Sequence, residues 1–290
     1  MNPPPSLAAD AVIDLPGGWG RLRACRHGLF MFNRNDVYIG RSLDLYGEFS
    51  ELEARLLCSL LRPGDVFVEA GANIGSLTVP MAQRVGPTGQ GFAFEPQRQN
   101  YMMLCANLGL NGISHVQTRQ AGLAAADAVM TVMIYDPAVS NNYGDIRLGA
   151  ECEKREQVSV TTVDGLGLAR CRLIKIDVQG MEPQVLEGAK ATIAACRPAL
   201  WVENDDRAAS PGLIRRIRAL GYRLWWHLAP IYNPGNFRDC HDDIFPRVVS
   251  CNLMCLPAEG ALDIGAPEIT DDDAWPLAGG PLAGGPLAEG

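Results

Sequence analysis

The stretch DVFVEAGANIGSLTV, residues 65–79, decides how the rest of the chain is read. Pro63-Gly64-Asp65 is a turn signal, and Val66, Phe67 and Val68 follow it as a short continuous apolar run. Such a run fits a central strand of a parallel sheet, buried on both faces. From Ile74 to Val85 the apolar residues return at helical spacing, and Gly86-Pro87 ends the segment. Pro80 fits that helix poorly, because a mid-helix proline kinks or shortens it. Strand, glycine turn and helix make the first unit of a nucleotide-binding sheet.

Glu69, at the mouth of the glycine loop, narrows the ligand. The motifs G-x-G-x-x-G and G-x-x-x-x-G-K-[ST] are both absent, since the spacing is Gly71-Ala72-Asn73-Ile74-Gly75. A pyrophosphate here would stand near Glu69, and two unit charges about 4 Å apart repel by roughly 4 kcal/mol at an effective dielectric near 20. The helix end returns only about half a charge of attraction. A ligand with an ammonium and a sulfonium, S-adenosylmethionine (SAM), suits the site instead. GQGFAFEP, residues 89–96, reads as the second strand and ends at Glu95, 26 positions after Glu69. A carboxylate at that place can accept both ribose hydroxyls of an adenosine. The plain alternative is that Glu69 and Glu95 are ordinary loop acids.

VFVEAGANIGSLTV, GFAFEPQRQNYMMLCANLGLNG and LIKIDVQGMEPQVLEGAKATI resemble the FkbM-type methyltransferases, as do YGEFSELE (46–53) and SCNLMCLP (250–257). The resemblance runs over roughly residues 36–257 and is most specific from Leu173 to Gly188. It implies an α/β fold: a Rossmann-like, doubly wound, mostly parallel sheet with an antiparallel edge hairpin, the class I methyltransferase fold. It also implies SAM as cofactor and methyl transfer mostly to oxygen. The chain departs from the family pattern in two places. Glu-Ala-Gly opens the first loop where Asp-Val-Gly is commoner, and Gln179 stands where the family usually has glutamate. The candidate cofactor residues are Glu69, Gly71, Ala72, Asn73, Gly75 and Ser76, then Glu95 and Pro96, then Gly122 and Leu123.

Ligands of such sheets bind beyond the carboxyl ends of the strands, at the switch in strand order. Asp177, Glu203 and His227 fall at such ends, and Lys175 shares a strand face with Asp177. A lysine inside a parallel strand needs a carboxylate partner. Lys175–Asp177 is therefore either a structural ion pair or an acceptor-activating carboxylate tuned by a lysine. His227, beside Trp225 and Trp226, reads equally well as packing. The candidate catalytic set is Asp177, Lys175, Glu203 and His227. Two loops rich in Asn, Tyr, Asp and Gly, 135–148 and 227–245, suit a polyhydroxylated or amphipathic acceptor, a small molecule or glycan. His241, Asp242 and Asp243 have no metal-specific spacing, so no metal is expected.

The net charge of −8 excludes a basic face for nucleic acid. The longest apolar stretches fall far short of the roughly 20 residues of a membrane helix. The N-terminus lacks the pattern of a signal peptide. Nine cysteines without a C-x-x-C pair suggest reduced thiols and a cytoplasmic protein. A homo-oligomer is compatible with all of this.

Three zones are expected: 1–62, a loose arm to about residue 18, a hairpin turning at His27-Gly28 and a helix with a Ser50/Glu53 capping box; 63–257, the alternating methyltransferase domain; and 258–290, a flexible tail ending in the repeat PLAGGPLAGGPLAEG. Within the second zone, a helix at Gln97–Leu108 and strands near His115–Arg119, Val129–Tyr135, Val158–Thr162, Leu173–Val178 and Leu200–Glu203 are expected. The pair Tyr222–His227 and Val249–Leu256 forms the edge hairpin. Methylation at nitrogen, a nicotinamide oxidoreductase and a non-catalytic SAM-binding scaffold remain as alternatives. The first is disfavoured by the missing N-P-P-Y motif and the second by the loop spacing, while Gln179 keeps the third open.

Overall fold

The computed structural model describes residues 11–145, 148–149, 154–260 and 266–276. In chain order the elements are β1 (Val12–Asp14), β2 (Gly20–Cys25), β3 (Gly28–Asn33), α1 (Ile39–Leu45), α2 (Glu51–Leu60), β4 (Val66–Ala70), α3 (Thr78–Val85), β5 (Gln90–Phe94), α4 (Arg98–Leu110), β6 (Val116–Arg119), β7 (Ala121–Leu123), β8 (Ala128–Met133), β9 (Arg155–Thr161), β10 (Leu173–Ile176), α5 (Glu182–Glu187), α6 (Lys190–Cys196), β11 (Ala199–Glu203), α7 (Ser210–Ala219), β12 (Tyr222–Pro230) and β13 (Val249–Pro257).

The central sheet has the order β12-β13-β11-β10-β4-β5-β6. Strands β4, β5, β6, β10 and β11 run parallel. β13 is antiparallel to β11, and β12 to β13, which makes the expected edge hairpin. From β4 the chain moves outward to β5 and β6, then returns to the other side of β4 for β10. The strand order therefore switches between β4 and β10, where a crevice opens.

Alternation along the strands sorts side chains between two cores. Val66, Val68, Ile174, Ile176, Leu200 and Val202 pack with Val185, Leu186, Ile193, Leu213, Ile214 and Ile217 from α5, α6 and α7. On the other face Phe67, Leu173 and Trp201 meet Ala54, Leu57, Leu77, Met81 and Val85 from α2 and α3. Burial of this kind contributes roughly 1.5–3 kcal/mol for each large apolar side chain.

Several sequence expectations need correction. The helix after the glycine loop starts at Thr78 rather than Ile74. Pro80 consequently sits in the first turn, where its missing N–H has no intrahelical acceptor to forgo. There is no capping box: Ser50 is left-handed at φ 46°, its side chain caps nothing, and Glu53 turns inward to Asn252. Part of the arm expected to be loose forms β1 and pairs with β2. The hairpin turns at Arg26-His27, with Cys25 opposite Gly28. The strands near 129–135 and 158–162 leave the main sheet and join β7 in a sheet of order β7-β9-β8.

The expected flexible tail is also wrong over 266–276. Ile269 is 4% exposed within the core and donates its N–H to Leu224 O. Arg218 binds Asp272, Arg223 binds Glu268, and Trp275 packs edge-on to Trp226 at 5.7 Å. The PLAGG repeats lie outside the described residues, apart from the opening Pro276.

β3 lies at an edge of its sheet, β1-β2-β3. Two asparagines one turn apart, Asn107 on α4 and Asn111 just past its end, bond to its outer backbone. Asn111 accepts from Leu29 N and donates to Leu29 O; Asn107 accepts from Met31 N and donates to Met31 O. Asn107 also donates to Ile74 O, tying this hairpin to the glycine loop.

Candidate active site

The loop after β4 is fixed by close backbone contact. Gly71 has φ +78°, and a Cβ there would lie 1.8 Å from Asp177 O. Only glycine lets the β4 and β10 ends approach this closely. Gly71 and Ala72 both donate to Phe94 O, so the loop is bonded to the end of β5 as well.

Glu69 answers to Lys175. The two are in register across β4 and β10, with Lys175 Nζ 3.5 Å from Glu69 Oε1. Glu69 Oε2 accepts from Thr78 Oγ1 at 2.6 Å. Lys175 Nζ also donates to Asp177 Oδ2 at 3.2 Å and Gly71 O at 3.1 Å, and it lies 5.7 Å from the Trp201 ring centroid. Burial alone would lower the ammonium's pKa, but Asp177 and Glu69 outweigh it and hold the group above its ordinary value. Burial raises the Glu69 carboxyl against the pull of Lys175. Of Lys175's two acidic partners only Asp177 reaches the cleft freely: its side chain is 31% exposed, against 1% for Glu69.

Glu95 sits just beyond β5. It accepts from Asn73 N at 2.8 Å and Gln97 N at 2.9 Å, one bond to each oxygen. Burial nevertheless pushes its carboxyl up to about 7. Gln179 is left-handed at φ 54° and donates to Glu203 Oε2 at 2.9 Å, with Asp177 Oδ1 at 3.5 Å. Burial, then repulsion from Asp177, pushes Glu203 well above the carboxylate range. An amide at 179 supplies Glu203 with a donor where a glutamate would add a third acid.

One cleft joins these groups. It is lined by Glu69, Gly71, Ala72, Asn73, Ser76, Glu95, Pro96, Gly122, Leu123, Lys175, Asp177 and Glu203 among the predicted residues. Gly75 and His227 are not on that wall. Gly75 turns its α-carbon toward Leu104, where the loop needs room for φ +85°. His227 is not brought to the cleft: half-buried, it faces Trp201 at 6.5 Å, and burial lowers its pKa.

Sequence reading missed most of the opposite wall: Tyr38, Ile39, Phe49, Ser50, Glu53 and Ser250. The Tyr135 loop does reach the cleft, through Asn142, Tyr143, Gly144 and Asp145. Asn33 and Asn35 donate to Pro137 O, and Asn100 donates to Tyr143 O, which pins that loop in place. The 227–245 loop contributes Ile231. Among the described residues no group of three or more His, Cys, Asp or Glu could hold a metal ion. Nor is any helix among the described residues long and apolar enough to cross a membrane.

The sequence model described as the methyltransferase FkbM domain matches residues 69–224, more than half of the chain. The chain belongs to the FkbM methyltransferase family. Methyltransferase 1 of Beauveria bassiana (strain ARSEF 2860) is 32% identical over 149 residues, covering 43% of this chain and 59% of that protein. The chain thus spans about three-fifths of that relative's length. The structure of methyltransferase FkbM from Methylobacillus flagellatus KT is 16% identical, with a TM-score of 0.44, over 76% of this chain and 55% of the other. The O-methyltransferase TomG from Streptomyces achromogenes, involved in tomaymycin synthesis and solved with SAM, is 12% identical with a TM-score of 0.42, over 71% and 79%. Likenesses at that level assign no chemistry.

Proposed function

We propose that this FkbM-family chain is a SAM-dependent O-methyltransferase acting on a hydroxyl of a sugar, glycan or secondary metabolite. The observation that carries the reading is the single cleft that joins Glu95 at the tip of β5 to Asp177 beyond β10. Its cofactor half fits SAM in kind. Glu95 is an acceptor for ribose hydroxyls, Glu69 adds negative charge to the wall with its Oε1 ion-paired to Lys175 at 3.5 Å, and Phe94 and Leu123 offer apolar contact. SAM supplies a methyl group made electrophilic by its sulfonium.

The chain's own residues orient the acceptor. Asp177, reachable from the cleft, accepts the hydrogen of the acceptor hydroxyl and aims its oxygen. Lys175 holds Asp177 in place through an ion pair at 3.2 Å. Positioning supplies much of the rate. Calorimetry tests the cofactor assignment: Glu95→Ala removes two charge-assisted bonds worth about 1.5–3 kcal/mol each. SAM affinity should fall at least about tenfold with the fold intact. Unchanged binding overturns the assignment.

A further inference from the structure

The wall facing Asp177 comes from residues outside the 69–224 match: Ser50 and Glu53 from the start of α2, and Ser250 from β13. Glu53 is 4% exposed, and its Oε1 accepts from Asn252 Nδ2 at 2.8 Å. The same Nδ2 donates to Ser250 Oγ at 2.7 Å. Burial raises the Glu53 carboxyl, as does Asp177, while the serine hydroxyls and Lys175 oppose the rise. Ser50 is 1% exposed and lines the cleft, yet its Oγ makes no hydrogen bond of normal geometry. A buried hydroxyl left unpaired is unfavourable, and a polar ligand group relieves it.

Charge narrows that ligand. Among the described residues the cleft wall carries Glu53, Glu69, Glu95, Asp145, Asp177 and Glu203, with Lys175 as the one cation. Lys175 is already held by Glu69, Asp177 and Gly71 O. Among the described residues, the part of the wall around Ser50, Glu53, Ser250 and Asp177 offers no cation beyond Lys175 to a phosphate or carboxylate, whereas carboxylates and serines suit hydroxyl donors.

We infer that Ser50, Glu53 and Ser250 form the acceptor subsite, and that it holds a polyol without an anionic group. Glu53 accepts from a hydroxyl neighbouring the one presented to Asp177, and Ser50 bonds to the same polyol. This rests on the methyltransferase reading above.

The test uses the full chain, SAM, and a panel of methyl glycosides of glucose, galactose, mannose and xylose. The matching sugar 1-phosphates and uronates are assayed beside them, and S-adenosylhomocysteine release is read. A neutral glycoside should turn over, and no anionic counterpart should surpass it. Glu53→Gln keeps an acceptor for Asn252, and Ser50→Ala removes a hydroxyl with no hydrogen bond of normal geometry in the protein. Both should raise KM for the glycoside by about tenfold, a loss equivalent to one hydrogen bond. Calorimetric SAM affinity should stay within about twofold, and the Ser50→Ala melting midpoint should be unchanged. Preference for an anionic sugar, no glycoside turnover by a chain that binds SAM, or unchanged KM in both variants overturns the inference. Failure of the native chain to bind SAM sinks the underlying reading instead.

Discussion

A paired substitution separates the two readings of Asp177. Asp177→Asn keeps the side chain's size but removes its charge and basicity. If the carboxylate activates the acceptor, turnover should fall about 10²–10⁴-fold while SAM affinity changes much less. If it only balances Lys175, the variant should mainly lose stability, because an ammonium left buried with one partner fewer is penalised. Adding Lys175→Met distinguishes the cases by melting midpoint and turnover. Stability restored without turnover supports the activating role; recovery of both makes Asp177 structural. At Glu95 the readout is pH. Its folded carboxyl lies at about 7, above the ordinary 4.5, so between those values the folded chain keeps a proton that the unfolded chain has released. The free protein therefore loses stability as pH rises through that window. Ribose hydroxyls need the ionised form, so SAM affinity should be flat above about pH 7 and weaken toward tenfold per unit below it. Calorimetric titrations across that range check this, and Glu95→Gln should flatten the slope. A native profile that is already flat contradicts it.

Elements formed by local pattern were legible; those formed by distant partners were not. The apolar run Val66–Val68, the acid at the end of β5 and the Lys175–Asp177 spacing were all readable because period and turn chemistry are local. The capping box failed because Glu53 serves Asn252, 199 residues away, and no spacing rule reaches that far. For the same reason the sequence did not mark Ser50, Glu53 or Ser250 as cleft residues. The tail misled through composition. Ile269 lies among four acidic residues in APEITDDDAW, and only the fold reveals the place it fills. Ile269→Ala should cost about 2–5 kcal/mol, the usual range for deleting a buried aliphatic side chain. The measurement is denaturant unfolding of the full chain. A change under about 0.5 kcal/mol, typical of surface sites, would show that this segment does not dock.

At the scale of the whole molecule, the family-matched span supplies the glycine loop, Glu95, Lys175 and Asp177, while flanking segments complete the cleft wall. Residues 11–62 are no separate appendage: Phe30 and Phe32 share a core with Val79 from α3 and Leu104 from α4. On the reading proposed above, acceptor choice would diverge through the flanks without disturbing the loops assigned to the cofactor. The asparagine contacts on β3 have a consequence for synthesis. A bare strand edge invites pairing with another chain, and here the groups that cover it come 82 and 76 positions later in the sequence. While the N-terminal hairpin is emerging from the ribosome its rim lies open to a neighbouring nascent chain. It becomes closed to strand addition once Asn107 and Asn111 have emerged and α4 has folded against it.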